Sequence, residues 1–344
     1  MSIRDKQPNI YDVAKSAECS IATVSRTINH PESVSNETFS RIKSVMKNLG
    51  YSPNLNAKNL AHRKNNLVAV LLPHHNDIHF SMIITPFLAG ILQEAESSNV
   101  RIMLFPTRSS DNEENFHSYI NSSAIDGVIM LNDISSTRTI NLLEKEKLPL
   151  IYVNCTLDPS KHRVNNDNML GARIAIDYLI ELGHHNIAIL NGSLHTISGK
   201  ERFLGCKDVL KKHRLLRYLQ RNRLLRDADF NQNTAYLLTT DMLSATIRPT
   251  AIFAASDWMA LGVMAAIREK GLRIPKDISV IGFDNTVLSS QISPMLTTIH
   301  QPLKEMGQEA FKSLLSIDPH HKSVINVVLQ PKLIIRETTG RLKC

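Results

Sequence analysis

From Leu67 onward, short apolar runs alternate with longer amphipathic stretches, and this alternation restricts the fold more than any other feature of the chain. The runs LVAVLLP (67–73), VRIMLF (100–105), DGVIML (126–131), LPLIYVN (148–154), NIAIL (186–190), TAIFAAS (250–256), ISVIGFD (278–284) and VINVVLQ (324–330) read as strands. Stretches between them, such as LGARIAIDYLIELG and WMALGVMAAIREKG, carry helical spacing and stop at glycine. Such alternation implies parallel sheets joined by right-handed crossovers. Four strands before residue 160 and more after it imply two doubly wound subdomains rather than one barrel. Ligands of open α/β sheets bind beyond the carboxyl ends of the strands, so the expected site is the cleft between subdomains.

The 344 residues leave room for a small module ahead of this body. The longest apolar runs are far below the roughly 18–20 residues needed to span a bilayer, so no membrane partner is expected. The start, MSIRDKQPNIYDVAK, has no apolar signal-peptide core, and a cytoplasmic location follows as the expectation. Cys19, Cys155, Cys206 and Cys344 are scattered without C-x-x-C pairing, which fits reduced thiols. The His pairs at 74–75, 184–185 and 320–321 lack the i, i+4 spacing that puts two ligands on one helical face, so neither metal nor cofactor is expected. The formal charge of +8 is unevenly spread: residues 1–65 carry ten Lys/Arg against five Asp/Glu, the footprint of a polyanion-binding head. Residues 207–226 hold eight Lys/Arg and one Asp, which we read as a solvated charged helix or loop.

In the head, Asn9 is placed to cap a helix with Asp12 in its first turn, and Ile10, Val13, Ala14 and Ala17 form one apolar stripe. A short break at Glu18–Cys19 leads to Ser20, the cap of a second helix, IATVSRTIN, with Val24 and Ile28 facing inward. A third helix runs from Ser35 through Phe39, Ile42, Val45, Met46 and Leu49 to Gly50. Two short helices joined by a tight turn, then a supporting helix, make a helix-turn-helix. Its second helix offers small residues and Arg26, suited to a major groove where Arg donates twice to guanine. A plain three-helix packing module has the same periodicity.

The wording of the segment favours the first alternative. The pieces IYDVA, S-x-A-T-V-S-R-x-I-N, V-S-x-E-T and LGYSPN stand in order within residues 9–54, which closely resemble the DNA-binding head of the lactose-repressor/galactose-repressor (LacI/GalR) family. The resemblance implies DNA contact by Ile10, Tyr11, Ser20, Ile21, Ala22, Thr23, Ser25, Arg26 and Asn29. Glu18 stands where the family usually has Gly. A positive φ there costs about 1 kcal/mol, so a slightly different turn is expected. The short basic stretch after Pro53 matches the family's hinge helix, with Asn54, Ala57, Lys58 and Leu60 in position to contact DNA. Leu60 would be an apolar wedge that kinks the minor groove.

The body resembles the effector domain of the same family, a fold related to periplasmic sugar-binding proteins. The words carrying this are N-D-N-M-L-G-A, E-L-G-H, A-A-S-D-W-M-A-L-G, V-I-G-F-D-N, L-T-T-I-H-Q-P and R-E-T-T-G. The resemblance implies that Arg202 binds effector hydroxyls or carboxylate, that Asp284 is an acidic effector ligand, and that Phe230 stacks on the ligand ring. Ser256 replaces a frequent Asn, Asn154 a frequent Asp, and His79 and Phe80 fall near an aromatic pair after the first strand. Two departures stand out: SMIITPFLAG is a few residues longer than the family norm, and the basic stretch 211–226 replaces a less charged region.

The expected organisation is therefore an all-α helix-turn-helix head (1–53), a hinge or linker (54–65) and an α/β body (66–344) of two doubly wound parallel-sheet, periplasmic-binding-protein-like subdomains. The first subdomain is assigned to about 66–160 and 294–323, the second to about 161–293 and 324–344. The function that follows is a transcriptional regulator, expected to be a repressor. It would act as a homodimer on double-stranded DNA at a near-palindromic operator, under control of a small-molecule effector, a carbohydrate or derivative. An enzyme with a DNA-binding appendage would need a phosphate loop or paired catalytic carboxylates; G-x-G-x-x-G, G-x-x-x-x-G-K-[ST] and G-x-S-x-G do not occur, and no strand-end acids are arranged for phosphoryl transfer.

Overall fold

A computed structural model describes residues 8–51, 65–72, 78–106, 110–121, 124–131, 137–154, 158–318 and 323–342. They fall into two compact units, one up to Asn66 and one from Leu67.

In the first unit, helix α1 (Ile10–Ser16) starts at Asn9, whose side chain accepts from the Tyr11 and Asp12 amides while Asp12 accepts from the Asn9 amide. This reciprocal cap satisfies donors that the first helical turn leaves over. Helix α2 (Ile21–Asn29) is capped by Ser20 and helix α3 (Asn36–Leu49) by Ser35. Gly50 ends α3 in the left-handed conformation at φ +64°. The three helices bury Val13, Ala14, Ala17, Val24, Ile42 and Met46 against one another. Glu18, at φ +48°, takes the left-handed conformation despite its side chain. The turn thus keeps the geometry suited to glycine, and the expected change of shape does not occur.

The second unit contains two six-stranded sheets. The first is built from β1 (Leu67–Leu72), β2 (Arg101–Pro106), β3 (Gly127–Leu131), β4 (Leu150–Val153), β5 (Arg163–Asn166) and β11 (Asn326–Leu329), in the order β2-β1-β3-β4-β5-β11 and all parallel. The second contains β6 (Ile187–Asn191), β7 (Leu225–Asp227), β8 (Ala251–Ala254), β9 (Ser279–Asp284), β10 (Thr297–His300) and β12 (Lys332–Ile334), in the order β7-β6-β8-β9-β10-β12. Only β12 runs antiparallel to its neighbour. Both sheets follow one doubly wound plan.

Helices cover both faces. On the first sheet these are α4 (Ile78–Ser97), α5 (Ser110–Asn121), α6 (Thr137–Lys145) and α13 (Leu303–Ser316). On the second they are α7 (Asn168–Glu181), α8 (Ile197–Lys212), α9 (Leu216–Arg221), α10 (Gln232–Ser244), α11 (Asp257–Glu269) and α12 (Val287–Gln291). The residues following Phe80, longer than the family norm, lie within the continuous helix α4. The basic stretch forms the end of α8, α9 and the edge strand β7.

The chain passes between sheets three times: from β5 into α7, from β10 into α13, and from β11 to β12. This corrects the expected subdomain limits by about one strand each. Strands β5 and β11, assigned to the second subdomain, pair in the first sheet, and β10, assigned to the first, pairs in the second. For β5 and β10 the reason lies in the sequences RVNN and TTIH, whose buried polar residues give no apolar run to read. Helix α13 does pack with the first sheet, its Leu303, Met306, Phe311 and Leu314 lying among Val70, Ile129 and Ile151.

Candidate functional site

On the head, α2 carries the side chains expected to contact DNA outward from a core anchored by Val24. Ser20, Ile21, Ala22 and Arg26 are exposed, as is Tyr11 on α1, while Thr23 and Ser25 are half-buried. Arg26 makes no ion pair among the described residues, and α2 has no acid in its first turn. A cation held on a small-residue helix surface is free to donate to a base edge. Some expected contacts have a second occupation. The Ser20 hydroxyl caps α2, lying 2.8 Å from that of Thr23, and Ile10 packs half-buried on the head core. The side chain of Asn29 lies outside the described structure, as do Asn54, Ala57, Lys58 and Leu60.

In the body, polar side chains gather at the carboxyl ends of the strands. Helix α8, capped by Thr196, presents Arg202. Gly205 lets α8 close on α7, since a Cβ there would come within 2.3 Å of the Met169 carbonyl oxygen. The Arg202 guanidinium is buried and donates from Nε to Asn168 Oδ1 at 3.0 Å. Its Nη1 donates to the Ala255 carbonyl and to Asp284 Oδ1, the latter at 3.2 Å. The guanidinium lies 3.7 Å from the Phe283 ring centre and 5.7 Å from that of Phe230. Asp284 Oδ1 also accepts from Gln301 Nε2 at 2.6 Å.

Burial pulls the Arg202 pKa below its ordinary value while Asp284 holds it up. Burial also raises Glu201, whose carboxylate accepts from Asn168 Nδ2 at 3.2 Å. A further buried acid, Asp257, is pushed up to about 7 by desolvation and by Asp284, although Thr286 and Thr298 donate to it.

The backbone around this network is strained. Asn154, Asp229, Phe230, Asp284 and Asn285 all have positive φ, at +51°, +52°, +55°, +120° and +55°. Such conformations cost free energy in non-glycine residues and gather at functional sites. Gly192 makes room for the aromatic: a Cβ there would stand 2.1 Å from the Phe230 ring.

The structure therefore brings Arg202, Asp284 and Phe230 together. Ser256 adjoins Ala255, but it is wholly buried and caps α11 by accepting from the Met259 amide. Asn154, at the end of β4, ties that strand to β5: its Oδ1 accepts from the Asn166 amide at 2.9 Å. His79 and Phe80 fall in the first turn of α4, and their side chains are outside the described structure. The sequence reading missed Asn168, Glu201 and Gln301. Asn168 and Gln301 stand within the words N-D-N-M-L-G-A and L-T-T-I-H-Q-P, and Glu201 directly precedes Arg202, but no local pattern shows that Asn168 meets both the Arg202 guanidinium and the Glu201 carboxylate while Gln301 meets Asp284. Among the described residues no helix is long and apolar enough to cross a membrane.

A helix-turn-helix head on a body of two like-wound sheets, with a buried polar network between strand ends, defines the class of ligand-responsive regulators. Comparison narrows the class. Residues 9–54 match the model of bacterial regulatory proteins, lacI family, and residues 176–339 match the periplasmic binding protein-like domain. The chain is 30% identical over 340 residues to the HTH-type transcriptional regulator DegA of Bacillus subtilis (strain 168), covering 97% of this chain and 98% of that protein. It is also 30% identical over 339 residues to the HTH-type transcriptional repressor PurR of Vibrio atlanticus (strain LGP32), covering 97% and 99%. Among solved structures it is similar to a lac repressor dimer bound to operator and the anti-inducer ONPF, with TM-score 0.81, 30% identity and coverage of 97% and 100%. A transcriptional regulator CelR–cellobiose complex gives TM-score 0.72, 27% identity and coverage of 96% and 99%. The chain belongs to the LacI family of DNA-binding transcriptional regulators. It is a regulator, as these relatives are, and not an enzyme.

Proposed function

We propose that this regulator is a repressor that binds a near-palindromic operator as a homodimer, with operator affinity set by a sugar or sugar derivative in the cleft of the body. The observation that carries the effector site is the buried Arg202–Asp284 pair, hydrogen-bonded to Asn168 and Gln301. Those two residues lie on the segments by which the chain passes between sheets. A ligand engaging the pair is thereby connected to the segments about which the subdomains pivot. Support for a carbohydrate comes from the cellobiose complex of CelR and from a ribose-bound LacI-family regulator of Enterococcus faecium, 26% identical with TM-score 0.69. The operator-bound lac repressor dimer supports the assembly.

In this reading each head inserts residues 20–29 into a major groove, and the paired Leu60 side chains open the central step. Cleft closure changes the relative rotation of the first subdomains in the dimer and so biases hinge ordering. This is differential affinity of one ligand for two states. The test is binding to a family-like palindrome by fluorescence anisotropy, with Arg26→Ala and Leu60→Ala, before and after adding sugars that stabilise the protein. Each substitution is expected to weaken specific binding by about 1–3 kcal/mol. The readout model fails if neither costs about 1 kcal/mol.

A further inference from the structure

Two buried amides beside the Arg202–Asp284 pair have oxygens with no donor among the described residues. Asn166 ends β5 in the first sheet and Asn191 ends β6 in the second, both more than nine-tenths buried. Among the described residues neither Asn166 Oδ1 nor Asn191 Oδ1 has a hydrogen-bond partner. Their orientations are fixed by their nitrogens. Asn191 Nδ2 donates to the Gly192 carbonyl at 2.9 Å, and Asn166 Nδ2 points to Asn168 Oδ1 at 3.4 Å. Turning either amide over would set oxygen against oxygen.

Both amides adjoin the network already described. Asn168 Oδ1, which faces Asn166, also receives Arg202 Nε. Gly192, which follows Asn191, lies under the Phe230 ring. A buried acceptor without a donor destabilises the ligand-free fold, so such a group at a strand end is explained by a donor that arrives later.

Charge narrows the class of that donor. The Arg202 guanidinium is engaged by Asp284, Asn168 and the Ala255 carbonyl, and the acids Glu201, Asp257 and Asp284 surround it. An anionic ligand would have to displace Asp284 from Arg202 and sit among carboxylates.

We propose that Asn166 and Asn191 are specificity-determining acceptors of the cleft, one from each sheet, and that the effector is an uncharged polyol that donates a hydroxyl to each. The inference rests on the cleft reading above and adds to it the sign of the ligand's hydrogen bonds and its lack of charge.

The test uses the full chain and thermal shifts with D-ribose, D-glucose, D-galactose, cellobiose and myo-inositol. D-ribose 5-phosphate and D-glucose 6-phosphate serve as anionic counterparts, all at about 10 mM. At least one uncharged probe is expected to raise the melting temperature more than either phosphate does. Asn166→Leu and Asn191→Leu are each expected to weaken that probe about tenfold in calorimetric titration. The melting temperature of each ligand-free variant should stay unchanged or rise by about 2 °C, because a buried acceptor has been removed.

The proposal is overturned if no uncharged probe stabilises the protein, if a phosphate binds more tightly, or if both variants bind the probe as the parent does. It is also overturned if both ligand-free variants melt lower, which would make the amides structural. Arg202→Ala separates the two levels of the argument. Probe binding that survives this change defeats the cleft reading itself. Binding lost in Arg202→Ala but kept in both leucine variants defeats only the acceptor assignment.

Discussion

The proposed recognition groups of the head and of the body are held in opposite ways. The head keeps a small core and turns the side chains proposed to read DNA outward, so that Arg26 and Tyr11 are exposed on short capped helices. The body buries the groups proposed to meet the effector, drawing Asn168, Arg202, Asp284 and Gln301 from distant parts of the chain into one network. The difference teaches where substitutions can be tolerated. Exposed side chains of the head such as Arg26 and Tyr11 are separable from stability; the buried Arg202–Asp284 pair is not.

The largest expected effect breaks the cleft. Asp284→Ala leaves the buried Arg202 charge without its counter-ion and should cost the body about 3–5 kcal/mol in urea unfolding, with Arg202→Met in the same chain restoring much of it. A cost below about 1 kcal/mol would place the pair among separable residues and erase the contrast. Next, Ile42→Ala removes a wholly buried side chain from the head core and should cost about 2–4 kcal/mol. Operator affinity should fall while sugar binding to the body stays unchanged, as anisotropy and calorimetry on one preparation would reveal.

A smaller effect of opposite sign is expected at Glu18. Its φ of +48° is relieved by Glu18→Gly, which should raise the head's stability by about 1 kcal/mol in a circular-dichroism melt. No gain would mean that the Glu side chain offsets its own backbone strain.

The smallest effect is a pH slope. Burial holds the His184 pKa below its ordinary 6.5, partly opposed by a hydrogen bond to the Gly340 carbonyl, with His185 adding to the depression. The unfolded chain therefore binds a proton more readily than the folded one. Stability from neutral His184 is complete above the unfolded value and declines as pH falls below about 6.5 toward the folded value. The ring also contacts Thr250 and Ser279, so His184→Gln should lower stability at neutral pH but lose less on acidification. Parallel melting curves for both proteins between pH 7.5 and 5 would rule the idea out.

Legibility in the sequence follows the same divide. Caps Asn9, Ser20 and Ser35 and the terminator Gly50 act within a few residues, and the structure uses all four as the local pattern implies. The apolar strands of the body were equally plain. Strands β5 and β10 were not, because Asn165, Asn166, Thr297 and Thr298 are buried polar residues. Their partners are remote: Thr298 donates to Asp257, and Thr297 Oγ1 accepts from the Arg336 amide. Hydrophobic patterning sees burial only when burial is apolar. Arg202 and Asp284 were reachable through the family resemblance, whereas Asn168 and Gln301 become meaningful only when folding closes gaps of 34 and 17 residues.

The interleaving of the two sheets has a further consequence for synthesis. Helix α13 and strand β11 complete the first sheet, although the whole of the second sheet except β12 precedes them in the chain. A nascent chain emerging from the ribosome can assemble the head early, but it cannot seal the first subdomain until residues 303–329 have appeared. A premature stop before that point would release a molecule with a complete reading head and an unfinished sensor.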